Sequence, residues 1–197
     1  MNTIKTRSAA TRWRPQPFYL RAAIPRQLCS WLLDPASLTL RLQCLCPGMF
    51  RVRLLSQGWG SPRLDETRAL GMRHGERALI RQVHLLCGDH PWVYARTIIP
   101  ATSMRGRLRR LAHLGTRPLG AMLFADPGMQ RGPVELANIG PAEPLFTDAT
   151  RHMQQQPAEI WGRRSVFRIA HQPLLVSEIF LPEFPAGGVA RPAWRNR

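Results

Sequence analysis

The sequence predicts one α+β domain built on an antiparallel sheet, and three observations carry that expectation. Aliphatic runs such as Ala78-Leu79-Ile80-Arg81-Gln82-Val83-His84-Leu85-Leu86 and Leu174-Leu175-Val176-Ser177-Glu178-Ile179-Phe180-Leu181 are short and bounded by turn formers, the pattern of strands. Tight turns at Gly88-Asp89-His90-Pro91 and His171-Gln172-Pro173 join such runs in pairs, which makes them antiparallel neighbours. Helical stretches are few, short and grouped between the strands rather than alternating with them.

The elements follow in order. Ile24, Leu28, Trp31 and Leu32 repeat at helical spacing, and Asp34-Pro35 stops that helix. Ser37 caps a second short helix through about Cys46, which Pro47-Gly48 ends. Phe50 to Ser56 opens with strict alternation, as in a half-exposed strand. Pro62 to Leu70 is a polar connector with some helical character. Arg77 to Cys87 and Trp92 to Ile99 form a hairpin that Pro100 closes. Ser103 to Leu114 reads as helical with Gly115 beyond its end, and Arg117-Pro118-Leu119-Gly120 opens a short helix to about Phe124. Arg131 to Ile139 is a strand with an irregular start at Pro133. Pro141 to Pro157, with Gln154-Gln155-Gln156, is a polar surface excursion. Arg163 to Ala170 and Leu174 to Leu181 make the last hairpin. The expected total is six strands and four or five short helices.

Composition narrows the function classes. The 197 residues, 44% of them apolar, suffice for one folded core. No apolar run reaches the roughly 20 residues that span a bilayer, so a soluble protein is expected. The net charge of +16 invites a nucleic-acid partner, yet Lys5 is the only lysine and the arginines are scattered rather than gathered in one stripe. That pattern argues against a dedicated nucleic-acid function. Residues 1–23 carry Lys5, Arg7, Arg12, Arg14 and Arg21 with no acid, and read as a disordered basic tail capable at most of peripheral contact with anionic lipid. The expected domain spans 24–184, and 185–197 reads as a flexible tail. Cys44 and Cys46 have the wrong spacing for a zinc knuckle, Cys29 and Cys87 read as buried thiols, and no disulfide scaffold is indicated, so the cytoplasm is the default compartment. With no long exposed apolar helix, a monomer is the default.

Familiar catalytic signatures are missing: there is no Gly-x-Ser-x-Gly elbow, phosphate-binding loop, glycine-rich dinucleotide turn or histidine pair at metal spacing. What remains is one charge in each of two apolar strands, Arg81 and Glu178. A buried charge is costly unless paired or solvated by a ligand. The two residues therefore either pair with each other, lie on a wet face, or bound a pocket for a small polar molecule. Arg96 follows the hairpin turn at about the distance by which Arg81 precedes it, which suggests a second guanidinium beside the first. Arginine forks suit an acidic metabolite.

Larger blocks then match a known family. Trp161-Gly162-Arg163-Arg164-Ser165 followed by Pro173-Leu174-Leu175-Val176-Ser177-Glu178-Ile179-Phe180-Leu181-Pro182 resembles the C-terminal signature of chorismate lyases. Arg81 to Cys87, Pro91-Trp92 and Ala95-Arg96-Thr97-Ile98-Ile99-Pro100 resemble that family's central hairpin, and Leu114-Gly115-Thr116-Arg117-Pro118-Leu119-Gly120 its next block. Trp31-Leu32-Leu33 and Ser37-Leu38-Thr39 resemble its helical N-terminal part. The resemblance covers about residues 24–184. It implies a six-stranded antiparallel sheet with helical flaps over an internal site, and conversion of chorismate to 4-hydroxybenzoate and pyruvate, the entry to the ubiquinone ring, without a cofactor. By position it implies that Arg81 binds the ring carboxylate, Glu178 meets the ring hydroxyl, the Leu119 backbone contacts the carboxylate end, Arg96 meets the enolpyruvyl carboxylate, and Leu38, where the family often has methionine, lines a flap. Arg81 and Glu178 are the implied catalytic pair. The competing expectation is a non-catalytic effector-binding domain of the same fold, as in a bacterial repressor family.

Overall fold

Alternation along the strands divides this chain into two chemically different sheet faces. The computed structural model describes residues 10–16 and 23–185. The rest of the expected basic tail (1–9 and 17–22), and the C-terminal tail after 185, lie outside the described residues. In chain order the elements are β1 (Arg14–Pro15), α1 (Arg26–Leu32), α2 (Leu38–Leu45), β2 (Phe50–Gly60), α3 (Leu64–Leu70), β3 (Ala78–Cys87), β4 (His90–Pro100), α4 (Leu119–Phe124), β5 (Gln130–Arg131), β6 (Glu135–Ile139), α5 (Pro144–Thr150), β7 (Ile160–Ile169) and β8 (Gln172–Phe180). The sheet runs β1-β6-β7-β8-β4-β3-β2, with β5 also beside β7, and every pairing is antiparallel.

The α+β class is as expected, but the sheet has eight strands rather than six. The two additional strands are two residues each. One expected strand, Arg131 to Ile139, is split into β5 and β6 around Gly132-Pro133, because proline has no N–H to give to the ladder. The other addition, β1, lies where a disordered tail was expected. Trp13 donates from Nε1 to Asp65 at 3.1 Å, the Arg164 guanidinium sits 4.8 Å from the Trp13 ring centroid, and Arg14 pairs with Leu136. These contacts pack residues 13 and 14 against the sheet and α3, upstream of position 24.

Three further expectations are corrected. Ser103 to Leu114 is not an α-helix but 3-10 segments at Ala101–Ser103 and Gly106–His113. The 141–157 excursion contains α5, which buries Leu145, Phe146 and Ala149 against Tyr94, Ile139 and Ile179. Cys87 is not a free thiol: it is bonded to Cys46, tying the end of α2 to the end of β3, whereas Cys29 and Cys44 are free.

One face of the sheet carries α3 and α5 and an unusual amount of polar chemistry. Glu66 accepts from Arg96 at 2.6 Å (Nε) and 3.1 Å (Nη2). Burial pushes the Glu66 carboxyl up, but the bonds and charge of Arg96, with help from Arg63, outweigh it and hold the group below its ordinary value. Arg164 bridges Glu135 (2.7 Å) and Asp65 (2.9 Å). His84 faces the same side, with its ring centroid 4.3 Å from that of His152 and 6.2 Å from that of Tyr94. Neither of its ring nitrogens has a partner among the described residues.

His84 therefore couples stability to pH. Burial first, then the nearby His152 and Arg53, drive its pKa down from 6.5 to about 4. The folded protein keeps this ring neutral while the unfolded chain protonates it. The stability it supports is fully present above about pH 6.5 and is lost as pH falls toward about 4, to the extent of about 3 kcal/mol. Urea unfolding at pH 7 and pH 4.5 should show a smaller stability difference in His84→Leu than in the wild type. Equal differences would contradict this.

Candidate active site

The other sheet face is mainly apolar and lines a cavity. Arg81, Val83 and Leu85 of β3, Ala95 and Thr97 of β4, Val176 and Glu178 of β8 and Phe167 of β7 point into one cavity. The start of α2 (Leu38, Thr39, after its cap Ser37) and α4 (Leu119, Gly120, Leu123, Phe124) cover it. The enclosed space between these walls is small, about 40 Å³.

The register places the two charges at opposite ends. Arg81 lies across from Thr97, and Thr97 across from Val176. Glu178 is two residues further along β8, level with Ala95 and Val83. Two strand spacings and two residues of rise separate their Cα atoms by about 12 Å. No ion pair joins them, so the bland expectation that they neutralise each other does not hold; the carboxylate is engaged elsewhere.

Arg81 is 3% exposed and has no carboxylate partner among the described residues. Its Nη2 donates to the carbonyls of Gly115 (2.9 Å) and Arg117 (3.2 Å), while its Nε is buried without a partner. Those carbonyls belong to the turn that leads into α4. Gly115 makes that turn possible with φ +57, a left-handed conformation that glycine adopts without a Cβ clash. Burial lowers the guanidinium pKa to about 10, which leaves it a cation at neutral pH. A desolvated cation with an unsatisfied N–H is a preformed anion receptor.

Glu178 accepts a 2.7 Å bond on Oε2 from Arg163 Nε. Leu38 and Leu119 line the cavity. Arg96 does not. Thr97, not Arg96, stands opposite Arg81, because a bulge between Leu85 and Leu86 shifts the register by one residue. A one-residue offset turns a side chain to the other face. Arg96 is there, paired with Glu66.

The cover is closely fitted. The Ser37 side chain caps α2 by accepting from Leu40 N–H at 3.4 Å. A Cβ added at Gly120 would lie 2.6 Å from Thr39 Oγ1 and 3.1 Å from Thr39 Cβ. Thr39 is short, branched and buried, so it has little room to move aside. Gly120→Ala is expected to force α2 and α4 apart, lower stability by about 1–3 kcal/mol and weaken retention of a cavity ligand. An unchanged melting temperature would contradict this packing. Residues that sequence reasoning missed are Arg163, Arg131 and Ser165 on this face. The signal available was alternation, which places 163, 165 and 167 on the side of Glu178.

Comparisons with known proteins identify the family. The chorismate lyase family model matches residues 11–185. A probable chorismate pyruvate-lyase of Azoarcus sp. (strain BH72) is 47% identical over 161 residues, covering 80% of this chain and 85% of that protein. One of Nitrosomonas europaea is 39% identical over 170 residues, covering 86% and 93%. Among solved structures, a GntR-family transcriptional regulator of Bacillus cereus shares the fold, at TM-score 0.51 and 12% identity, covering 73% of this chain and all of that one. On the match across the whole described domain, the chain belongs to the chorismate lyase family.

Proposed function

We propose that the protein converts chorismate to 4-hydroxybenzoate and pyruvate inside the cavity between Arg81 and Glu178. The single observation that carries this reading is the separation of the two groups. A buried guanidinium with an unpartnered N–H stands at one end of an apolar space, and a carboxylate stands at the other. This complements a ring that bears a carboxylate opposite a hydroxyl. Arg81 Nε and the Leu119 backbone hold the ring carboxylate, Glu178 holds the hydroxyl, and Val83, Leu85, Val176 and Phe167 pack on the ring.

The reaction is balanced without a cofactor. The carbon–oxygen bond to the enolpyruvyl group breaks, the hydroxyl-bearing carbon loses its proton, and enolpyruvate takes up a proton to become pyruvate. Aromatisation supplies the driving force. The protein's contribution is to hold the reactive conformer, exclude water and stabilise separating charge. In this reading α2 and α4 are flaps over the ligand, and an aromatic product enclosed by them leaves slowly. The proposal also places the protein in the cytoplasm as a monomer without a nucleic-acid partner. Among the described residues no helix is long and apolar enough to cross a membrane.

Incubating the purified protein with chorismate and separating the products tests the reading. Equimolar 4-hydroxybenzoate and pyruvate are expected. Tight binding of 4-hydroxybenzoate with no turnover would instead support an effector-binding domain.

A further inference from the structure

Arg163 is 1% exposed, the most buried cation on the cavity face, and it touches three parts of the structure at once. Its Nε donates to Glu178 Oε2 at 2.7 Å. Its Nη1 donates to the main-chain carbonyls of Trp31 (2.7 Å) and Asp34 (2.5 Å), at and just beyond the end of α1. Carbonyls at a helix C-terminus lack intrahelical donors and attract a cation. The neighbouring Arg131 continues the pattern. It donates from Nε to Ser165 at 3.0 Å and from Nη1 to the carbonyls of Pro35 and Ala36, with its guanidinium 5.2 Å from the Phe167 ring centroid. The carbonyls of residues 34, 35 and 36 are thus fastened to β5 and β7 by two arginines. The next three residues, Ser37, Leu38 and Thr39, line the cavity.

We infer that Arg163 is a positioning residue: it fixes the Glu178 carboxylate so that one oxygen is occupied and the other is left for the ligand, and it ties that orientation to the seating of the α1–α2 segment over the cavity. Oε1 of Glu178 has no protein donor among the described residues, as this role requires. A lysine could supply the same charge but not this fork, because its single ammonium cannot hold one carboxylate oxygen and two carbonyls at fixed angles. The inference rests on the lyase reading for the identity of the ligand, and its test separates the two.

The measurement is the preference for 4-hydroxybenzoate over benzoate, read as a ratio of dissociation constants in the full-length protein. The two ligands differ only at the hydroxyl that Glu178 meets, so the ratio reports that contact and cancels general damage to the cavity. Arg163→Lys is expected to reduce the ratio about tenfold, the weight of one well-aligned charged hydrogen bond. It should lower kcat for chorismate more than it raises KM. A ratio equal to wild type would overturn the inference. If Arg163→Lys does not melt cooperatively, hydrogen exchange in the wild type decides. Amides of residues 32–40 should be protected several-fold more by saturating 4-hydroxybenzoate than by saturating benzoate, because only the former engages the Glu178–Arg163 link, and equal protection would overturn the coupling. A wild-type protein that leaves chorismate untouched but shows the Arg163-dependent ratio would overturn the lyase reading and keep this one. Turnover with a ratio indifferent to Arg163→Lys would do the reverse.

Discussion

Replacing Arg81 with methionine is expected to lower kcat/KM for chorismate roughly a hundred- to a thousandfold, with most of the loss in KM. Truncating one partner of a buried, hydrogen-bonded charge pair costs about 2–5 kcal/mol, roughly thirty- to several-thousandfold, and the expected loss lies in the middle of that span. The loss falls on KM because the ring carboxylate is the same anion in substrate and transition state, so Arg81 binds both equally. The fold should survive. Arg81 has no carboxylate partner among the described residues, so its removal strands no protein anion, and methionine fits the apolar neighbours Val52, Val83 and Leu85. The carbonyls of Gly115 and Arg117 do lose a donor, and the turn into α4 should loosen. Arg81→Lys should recover only part of the activity, because an ammonium cannot serve both that turn and a ligand carboxylate. Steady-state kinetics alongside thermal melts check all three statements. A methionine variant with wild-type KM would contradict the assigned role.

Glu178 should show the opposite division. In Glu178→Gln, kcat is expected to fall about a hundredfold, the lower end of what a positioned acid or base contributes, with KM changed little. The amide oxygen can still accept from Arg163 Nε, so the fold is kept. Glu178→Ala is a different experiment. It leaves Arg163, 1% exposed, without its counter-charge, and breaking such a buried pair costs about 3–5 kcal/mol. The alanine variant is therefore expected to be destabilised as well as inactive, and only the glutamine variant isolates chemistry from folding. If Glu178→Gln were as unstable as Glu178→Ala, the carboxylate would be acting as a structural counter-ion.

The contrast between Arg81 and Arg96 shows how far a sequence carries the site. Both sit in apolar strands near one turn, and residue chemistry cannot separate them. The bulge at Leu85/Leu86 decides the matter, and nothing in that run announces it. Arg81 and Glu178 were legible because an isolated charge in a buried strand demands an explanation. Arg163 was hidden because it stands beside Arg164 in one strand, and only the β7–β8 register sets it against Glu178. Most sheet strands were legible from aliphatic runs and turn residues. The helix α5 was not, because its three buried apolar side chains lie in a stretch whose flanks are polar and rich in glutamine. The first strand was missed for a similar reason. Four arginines around Trp13 outweighed the one aromatic that anchors it, and long-range contacts to Asp65 and Arg164 are invisible locally.

A crystal structure with 4-hydroxybenzoate bound tests the central claim most directly. The expected result is one product molecule beneath α2 and α4, its carboxylate on the Arg81 guanidinium and its phenol oxygen on Glu178. A product bound outside that cavity, or bound with its two ends reversed, would contradict the account.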